Sequence, residues 1–288
     1  IDDIQKDDIV ILELSSFQLK LYSNITFPRK INIGIFLNFS EDHLDMHNSM
    51  EEYLNSKKNL LYNSERTILN SNLNEKIINE FKDIIFGNAN DCKTKGKKSN
   101  YSVKYHLSQS RDRTHIADNK GFVIQVNKIN IPGKHNLLNM MAGVAAFRCL
   151  GCNFDDYQYA LSSFKGIPHR IEWIKNIHGI NYFNDSKATN VASTVAALNS
   201  FNNKDIILIA GGDLKKQSLK PFIRTIKNNV KILILIGKDA NIFKENTERL
   251  SNLKIEMCQS MNDAVITANN LAQKDDIVLL SPACASFD

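Results

Sequence analysis

Continuous apolar runs of strand length recur along the chain, and they are typical of strands that are buried on both faces of a parallel sheet. Between them lie segments with apolar residues at helical spacing, while residues 101–130 alternate as antiparallel strands do. The first half of the chain therefore predicts a mixed α/β unit. Its predicted elements are strands at 9–12, at 31–38 and in the TILN and DIIFG segments, and helices at 50–61, 74–81, 136–150 and 154–164.

The pattern restarts after the segment Gly166-Ile-Pro168, which interrupts the chain. From there strands alternate with helices, which predicts a doubly wound parallel sheet. We place a domain boundary near 165–168, between a first domain of residues 1–166 and a second of residues 167–288. The strands predicted in the second domain are at 171–177 and 180–183, in IILIAGG, in KILILIG, at 254–257 and in IVLLSPA.

Composition narrows the class of protein. The 288 residues are 43% hydrophobic and 23% charged, a balance that suits a globular protein in water. The formal net charge is +5, but the lysines are scattered, and the one dense run, at 93–98, is more typical of a solvated loop than of a nucleic-acid groove. The apolar runs are too short to span a bilayer. We therefore expect no binding to nucleic acid or membranes.

Five cysteines, an odd number, lie in apolar contexts, which predicts reduced thiols in a cytoplasm rather than a disulfide framework. Cys149 and Cys152 form a CxxC pair. A redox-active pair of this kind opens a helix, where the dipole lowers the thiol pKa. This pair instead follows a helical segment, with Gly151 as the predicted C-cap. We interpret it as structural.

Polar residues follow several predicted strands at the point where each strand ends. In an open parallel sheet the carboxyl ends of the strands form the ligand-binding edge. Each residue alone has an ordinary explanation as a turn or a paired acid, but their repetition favours a site. They are Glu13, Asn38 to His43, Asp185, Gly211 to Asp213, and Ser281 with Ser286.

A series of motifs along nearly the whole chain, in order and spacing, resembles those of the Mur ligases. They are ELSSFQL at 13–19, NFSEDHLD at 38–45, YLNSKKNL at 53–60, GKHNLLN at 133–139, GIPHRIE at 166–172, NDSKATN at 184–190, AGGDLKK at 210–216 and LLSPACASFD at 279–288. NDSKATN is the most discriminating, because related members tend to have a histidine-containing motif there. The motifs are most similar to those of the members that add D-glutamate to UDP-N-acetylmuramoyl-L-alanine.

The resemblance implies a fold and a reaction. The fold is a partial P-loop-type central ATPase domain with a parallel sheet, followed by a Rossmann-like doubly wound C-terminal domain. The reaction is ATP-dependent amide formation in peptidoglycan precursor synthesis, through an acyl phosphate that the amine of D-glutamate attacks. It implies ATP and two Mg²⁺ ions, the two substrates as partners, and a monomer. The alternatives are another Mur-type ligase, such as one extending folate, and a non-catalytic nucleotide-binding module.

The resemblance also implies metal ligands in the first domain. Glu13 resembles the acid on the Mg²⁺ that bridges the ATP phosphates, and oxygen ligands suit this hard cation. His43 resembles the ligand of a second Mg²⁺ and is counted as catalytic. Lys57, four residues after Tyr53, resembles a lysine that is carbamylated and so becomes an anion beside the metals. The alternatives are an exposed helix lysine for Lys57 and, for His43 with His47, a zinc pair that lacks the HExxH pattern.

Further site residues follow from the same resemblance. Those expected near the nucleotide are Asn136, Asn139, Arg170 and Asp185, with a helix N-cap as the alternative for Asn136. Those expected in the D-glutamate pocket are Lys187, which is also counted as catalytic, Thr189, Lys215, Ser286 and Phe287. Lysines and hydroxyls are suitable donors to a dicarboxylate. We interpret His169 as structural and Trp173, the single tryptophan, as a packing residue.

The chain departs from the family pattern in one respect. A Gly-rich phosphate loop with the pattern GxxxxGK[ST] does not occur in residues 1–288. The resemblance implies that this loop, and a domain that binds the UDP-sugar, precede Ile1, and that a short stretch follows Asp288. We therefore expect a fragment of a longer ligase, and we expect residues 1–288 alone to be inactive.

Overall fold

The computed structural model of the chain contains two mixed α/β units, each built on a six-stranded sheet. It describes residues 3–22, 29–40, 46–81, 83–87, 104–110, 113–118, 121–126, 131, 133–201, 205–215 and 217–285. The largely parallel sheets confirm the predicted α/β fold class. Among the helices in these ranges, none has both the length and the apolar surface needed to cross a membrane.

The described part of the first half of the chain contains one sheet and the helices that cover it. Its strands are β1 (Ile31–Phe36), β2 (Ser64–Asn70), β3 (Ile84–Gly87), β4 (Tyr105–Ser110), β5 (Arg113–Asp118) and β6 (Gly121–Gln125). Its helices are α1 (Ser16–Leu21), α2 (Met50–Tyr62), α3 (Glu75–Phe81), α4 (Lys134–Cys149) and α5 (Phe154–Ser163). Neighbouring strands are parallel from β1 to β4 and antiparallel from β4 to β6. The antiparallel region predicted for residues 101–130 is thus confirmed where the structure describes it.

Helices cover both faces of this sheet. On one face Val144 of α4 packs in the same buried cluster as Ile68 of β2. On the other face Ile78 of α3 packs in a separate cluster with Leu69, the next residue of β2. Successive side chains of a strand point to opposite faces, so a continuous apolar run fits a strand that is covered on both sides.

The strand predicted at residues 9–12 was wrong. These residues are neither strand nor helix, and their side chains are between 52% and 89% exposed. The nearest sheet ends at β1, which pairs only with β2 among the described strands. An apolar run indicates a tendency to be buried, but a strand also needs a neighbour for its backbone hydrogen bonds. No described strand provides one here.

The second half of the chain forms the doubly wound sheet that the sequence predicts. Its strands are β7 (Glu172–Ile177), β8 (Ile180–Asn184), β9 (Ile206–Gly211), β10 (Val230–Ile236), β11 (Lys254–Met257) and β12 (Ile277–Leu280). Its helices are α6 (Val191–Leu198), α7 (Lys220–Asn229), α8 (Ala240–Thr247) and α9 (Met261–Leu271). Helices α6, α7 and α8 pack on one face and α9 on the other. The boundary near 165–168 stays a prediction.

The strand order of this sheet determines which loops meet. The order is β11-β10-β9-β12-β8-β7, and all neighbours are parallel except β7 with β8. The last strand, β12, is therefore inserted between β8 and β9. Because parallel strands end at the same edge of a sheet, the segments that follow β8, β9 and β12 begin side by side.

Trp173 lies on the edge strand β7, and its interpretation as a packing residue was wrong. Its side chain is 57% exposed, and its indole Nε1 donates to Asn181 Oδ1 at 3.3 Å. All six residues of β7 are exposed or only half-buried. An aromatic residue in a strand is usually covered on one face, but the sequence does not reveal that this strand lies at an edge.

The CxxC segment lies at the carboxyl end of α4. The helix ends at Cys149, and Gly151 follows with a φ of 76°, a conformation that glycine adopts without strain. Burial raises the pKa of the Cys149 thiol. The position at a helix C-terminus and the raised pKa both fit a structural role. The four cysteines in the described ranges are free thiols.

Lys231 and Asp276 form a largely buried ion pair that spans β9. The Nζ atom of Lys231 lies 2.7 Å from Oδ2 and 3.0 Å from Oδ1 of Asp276. The two side chains are only 28% and 4% exposed, respectively. Lys231→Met would leave a carboxylate buried with a single backbone donor, Gln273 N. We expect this substitution to lower the free energy of unfolding by about 3 kcal/mol, measured by urea denaturation.

The matched control for this prediction is Lys254→Met. Lys254 also lies on a strand of the second sheet, but its ion pair with Glu256 is half exposed, with side-chain exposures of 52% and 36%. Water and salt screen such a pair, so its loss is expected to cost less than about 1 kcal/mol. Equal losses of stability in the two variants would contradict a structural role for the buried pair.

Candidate active site

The segments after β8, β9 and β12 meet at one edge of the second sheet. We call them the strand-end loops, and they comprise residues 185–190, 211–215 and 281–285. The N–H of Gly211 donates to Pro282 O at 2.9 Å, and that of Ala283 donates to Ala188 O at 3.0 Å. The loop after β12 is therefore hydrogen-bonded to both of its neighbours. The three segments that the sequence marked as polar strand ends form one continuous surface.

Two glycines allow this close approach. Gly211 has a φ of 125°, and a Cβ atom there would lie 2.0 Å from Ile236 O. Gly212 has a φ of 130°, and its Cβ would lie 2.6 Å from Ala285 O. Backbone atoms are the obstacle in both cases, so neither loop can accommodate a side chain by rotamer change. The AGGD segment is thus required by the packing of the loops as well as by any ligand.

The lysines expected in the amino-acid pocket lie on these loops. Lys187, Thr189 and Lys215 are all exposed at this edge. Lys215 has a φ of 49°, and its N–H donates to Asp213 Oδ1 at 2.9 Å. Exposed cations and a hydroxyl can bind an anionic ligand without first breaking a buried interaction. Ser286 and Phe287 lie outside the described residues.

One cation at this edge was missed by the sequence reasoning. Lys238 follows β10, and its Nζ lies 3.1 Å from Asp213 Oδ2. The backbone N–H of Lys215 and, to a smaller extent, the Lys238 ammonium lower the pKa of Asp213. The signal was present, because Gly237-Lys238-Asp239 follows its strand just as the other polar segments follow theirs. Asp239 in turn accepts from Leu214 N at 2.8 Å.

Asp185 is the buried member of the site. It is 6% exposed, and Ser281 Oγ donates to its Oδ2 at 2.8 Å while Ile171 N donates to its Oδ1 at 3.1 Å. Burial raises the pKa of Asp185, although these two donors and Arg170 act in the opposite direction. Both carboxylate oxygens therefore already have protein partners. Its expected contact with the ribose stays a prediction. Arg170 itself is exposed.

The expected nucleotide residues of the first unit lie at the start of α4. Gly133 is the N-cap residue of this helix, so the alternative interpretation of Asn136 as the N-cap was wrong. Asn136 is half-buried and Asn139, one turn further on, is exposed. Residues three apart on a helix lie on the same face, so these two amides point to the same side of α4.

Two neighbouring lysines of α2 have different surroundings. Lys57 is half-buried, and its Nζ lies 5.3 Å from the centre of the Tyr53 ring. Lys58 lies on another side of the helix, where its Nζ is 2.7 Å from Glu80 Oε2 and 5.4 Å from the Tyr62 ring centre. Burial alone would lower the pKa of Lys58, but the Glu80 carboxylate and the Tyr62 side chain together outweigh it and raise that pKa. Lys58 is thus held as an ammonium ion.

Helix α1 is held against α2 by polar and aromatic contacts. His47 Nε2 and Ser16 Oγ share a hydrogen bond of 2.9 Å, and the His47 ring stacks on Phe17 with 5.4 Å between ring centres. Asn59 Nδ2 donates to Leu19 O at 3.0 Å. These contacts fix α1, which begins three residues after Glu13, relative to the helix that contains Lys57. His47 is 2% exposed and therefore belongs to this packing.

The fit of the site to Mg²⁺ depends on its donor groups. Glu13 is exposed and offers carboxylate oxygens at the amino end of α1. Lys57 fits a metal site only as a carbamate, since an ammonium would repel the cation. In the described residues there is no cluster of three or more His, Cys, Asp or Glu that could hold a metal ion. His43 lies outside the described residues.

Two solved structures illustrate the similarity of fold. UDP-N-acetylmuramate-alanine ligase from Thermotoga maritima aligns with a TM-score of 0.65 at 17% identity, over 94% of this chain and 59% of that protein. FolC from E. coli, solved with DHPP and ADP, aligns with a TM-score of 0.61 at 15% identity, over 88% of this chain and 58% of that protein. At these identities the similarity shows the fold alone.

Two relatives of higher identity carry the same name. The UDP-N-acetylmuramoylalanine–D-glutamate ligase of Clostridium botulinum strain Langeland is 36% identical over 100% of this chain and 61% of the relative. The ligase of the same name from Prochlorococcus marinus strain NATL2A is 36% identical over 99% of this chain and 59% of the relative. The chain therefore spans about three-fifths of the length of the curated relatives it matches.

Family models match both halves of the chain. The Mur ligase middle domain matches residues 2–147, and the glutamate ligase domain of Mur ligases matches residues 169–284. The motif resemblance is thereby confirmed over nearly the whole sequence. Fold, relatives and family models agree, and the chain belongs to the Mur ligase family.

Proposed function

We propose that this chain is part of an ATP-dependent ligase that adds D-glutamate to UDP-N-acetylmuramoyl-L-alanine. The observation that carries the proposal is the convergence of the strand-end loops, which brings the exposed Lys187, Thr189 and Lys215 to one edge of the sheet. Membership of the Mur ligase family and the names of the relatives support it. We further propose that the ligase acts as a monomer in the cytoplasm, where its thiols stay reduced.

The proposed reaction brings several negatively charged groups, phosphates and carboxylates, close together. The γ-phosphoryl group of ATP passes to the carboxylate of the UDP-sugar, and ADP leaves. The amine of D-glutamate then attacks the acyl phosphate, an amide forms, inorganic phosphate leaves and the amine loses a proton. Phosphoryl and acyl transfers of this type depend mainly on positioning and on cations that stabilise the developing charge. The protein must therefore supply cations, metal ligands and a dry, fixed geometry.

The proposed metal ligands are Glu13, His43 and a carbamylated Lys57. Two Mg²⁺ ions at these residues would neutralise phosphate charge and hold the reacting oxygens in place. Glu80 holds the neighbouring Lys58 as an ammonium ion, and the family motif selects Lys57. Carbon dioxide adds only to a neutral amine, so an ammonium that is fixed in an ion pair is a poor candidate. The packing of α1 on α2 places the start of α1, three residues after Glu13, on the helix that contains Lys57.

The proposed nucleotide residues are Arg170, Asn136 and Asn139. An exposed guanidinium can form two parallel hydrogen bonds to phosphate oxygens, and it keeps its charge at any physiological pH. The two amides on one face of α4 offer donors and acceptors to the edge of the adenine base. Arg170 follows the segment that joins the two units, so its contact with ATP would connect the second unit to the nucleotide.

The proposed D-glutamate pocket lies on the strand-end loops. Lys187 and Lys215 would pair with the two carboxylates, and Thr189 would donate from its hydroxyl, with Ser286 and Phe287 completing the pocket. Lys187 would also help the acyl transfer by stabilising negative charge near the attacked carbonyl. Lys238 lies at the same edge but is paired with Asp213, so we assign it a supporting role.

The experiment that tests the proposal uses the full-length protein encoded by the gene. We expect ADP release that requires both UDP-N-acetylmuramoyl-L-alanine and D-glutamate, and we expect mass spectrometry to detect the joined product. Omission of either substrate is the control, since a ligase should not hydrolyse ATP at the same rate alone. ADP release that depends on a folate and glutamate would instead identify another ligase of this family. ATP binding without ADP release in the presence of any of these substrates would support the alternative of a non-catalytic nucleotide-binding module.

A further inference from the structure

The loop after β9 ends in an unusual backbone conformation. Lys215 has a φ of 49°, in the left-handed region that residues other than glycine rarely adopt. This conformation is unfavourable for a residue with a Cβ atom, because that atom comes too close to the following carbonyl oxygen. It persists only where the surrounding structure enforces it. Neighbouring groups must therefore hold Lys215 in place.

The carboxylate of Asp213 holds Lys215 through its backbone. Oδ1 of Asp213 accepts from the Lys215 N–H at 2.9 Å, and Oδ2 lies 3.1 Å from Nζ of Lys238. The side chain of Asp213 is only 21% exposed, whereas that of Lys238 is 73% exposed. One oxygen thus holds the end of the loop, and the other is paired with a cation that follows the next strand.

The backbone of Asp213 is joined to the segment that follows β12. Its N–H donates to Ala285 O at 3.0 Å, and its carbonyl accepts from Ala285 N at 3.1 Å. This is a short antiparallel bridge between the two loops. Ser286, which is proposed for the same pocket, comes directly after Ala285 in the sequence. Asp213 therefore connects both segments of the proposed amino-acid pocket.

Asp239 holds the middle of the loop after β9. Its Oδ2 accepts from Leu214 N at 2.8 Å, and its own N–H donates to Gly212 O at 3.0 Å. The side chain of Leu214 is buried in the core of the second sheet. The loop is thus fixed from Gly212 to Leu214 by contacts that do not involve the Asp213 side chain. The Asp213 carboxylate extends this fixed region by one residue, to Lys215.

We propose that Asp213 is a positioning residue of the amino-acid pocket, whose carboxylate holds the backbone of Lys215 so that the lysine side chain starts from a fixed point. Asp213 acts through Lys215 and does not touch the amino acid. The inference rests on the proposed function, since it assumes that the amino acid binds at the strand-end loops. If the backbone of Lys215 were ordered only on binding, the entropy of ordering one residue would weaken the affinity by about 10-fold.

The test separates a hydrogen-bond acceptor from a charge. In the full-length ligase we expect Asp213→Ala to raise KM for D-glutamate by about 10-fold and to leave KM for ATP unchanged. A general loosening of the structure would raise both KM values and would contradict the proposal. Asp213→Asn keeps an oxygen that can accept from the Lys215 N–H, so we expect KM for D-glutamate to stay within about threefold of the wild type. An asparagine variant as impaired as the alanine variant would overturn the proposal.

Two further variants test whether Asp213 acts through Lys215. Lys238→Ala keeps the acceptor, so it should raise KM for D-glutamate less than Asp213→Ala does; an equal rise would overturn the proposal, because Lys238 would then act on the substrate itself. Asp213→Ala added to Lys215→Ala should raise KM no further than Lys215→Ala alone. Effects that multiply would contradict action through Lys215. Glu245→Ala, which removes an exposed carboxylate on α8, is the matched control and should behave as the wild type.

A second readout needs no turnover. Amide hydrogen exchange of a peptide covering residues 211–217 should be faster in Asp213→Ala, while a β10 peptide should be unchanged, which reports that the sheet is intact. If Asp213→Ala does not fold, Asp213→Glu is used, since it keeps a charge for Lys238 but moves the carboxylate away from the Lys215 N–H, and exchange should change in the same direction. Unchanged exchange in the folded variant would refute the positioning role. A wild-type protein that does not ligate D-glutamate would refute the proposed function, and exchange would still decide whether Asp213 holds Lys215.

Discussion

Lys57→Ala in the full-length ligase is expected to lower kcat by about 100-fold or more, whereas Lys58→Ala is expected to change kcat little. The two residues are adjacent on α2 and chemically identical, so the contrast depends on their surroundings alone. Lys57 lies half-buried over the Tyr53 ring, on the helix that packs against α1. Lys58 is paired with Glu80 on another side.

The physical reason is a change in the sign of charge. As an ammonium, Lys57 would repel Mg²⁺, and its removal would help metal binding. As a carbamate it is an anion with two oxygen ligands, and its removal leaves the metal without a ligand. The direction of the effect thus reports the charge of the side chain. For Lys58→Ala the loss is the ion pair with Glu80, which affects stability and not the charge beside the proposed metal ions.

The measurement compares kcat of the two alanine variants at saturating substrates, with thermal unfolding to confirm that both are folded. Short carboxylates added to Lys57→Ala should restore part of the activity by occupying the vacated anion site. They should have no effect on Lys58→Ala. Equal losses of kcat in both variants would show that Lys57 is not the lysine that the motif selects. A Lys57→Ala enzyme with a higher kcat than the wild type would show that the native side chain is a cation.

The core of the second sheet could be predicted from sequence because burial there is continuous. All six residues of β9 are buried, as an uninterrupted apolar run that ends in a glycine turn predicts. The run at 9–12 has the same character, yet it is exposed. Strand β9 has a neighbouring strand on each side, whereas residues 9–12 have none among the described strands. The presence of a neighbour depends on the whole fold and not on the segment itself. Hydropathy indicates that a segment tends to be buried, but it does not show whether a neighbouring strand is present.

The sequence predicted the positions of the candidate site residues better than their roles. The rule that polar residues at strand ends share an edge located Asp185, Gly211 and Ser281 correctly. It did not reveal that Asp185 is buried between two protein donors, because that depends on a serine 96 residues away. Likewise the choice of Lys57 over Lys58 followed from the family motif, and the sequence did not reveal that Lys58 pairs with Glu80 on α3. Contacts between segments that are distant in sequence determine the charge state and the exposure of these side chains. A local sequence pattern does not reveal such contacts.

The largest effect is expected in the choice of amino acid. In the full-length ligase we expect D-glutamate to be preferred over D-alanine and L-lysine by about 10⁴-fold or more in kcat/KM. A site built with donors for two carboxylates rejects an analogue that lacks one, because a buried donor is then left unpaired. Lys187 and Lys215, exposed in the free chain, are the proposed donors, and this penalty applies once the bound amino acid covers them. The preference for the D form over the L form rests on the names of the relatives, since residue types do not encode handedness.

The assay measures ligation across D-Glu, L-Glu, D-Ala, L-Ala, L-Lys and diaminopimelate at fixed ATP and UDP-sugar. Lys215→Ala should raise KM for D-glutamate and leave KM for ATP unchanged, because Lys215 projects from the loop after β9. Lys227→Ala, at the far end of α7, is the matched control and should behave as the wild type. A preference for L-alanine or for a diamino acid would refute the assignment. An unchanged KM in Lys215→Ala would remove that residue from the pocket, because an exposed cation that pairs with a substrate carboxylate cannot be deleted without cost.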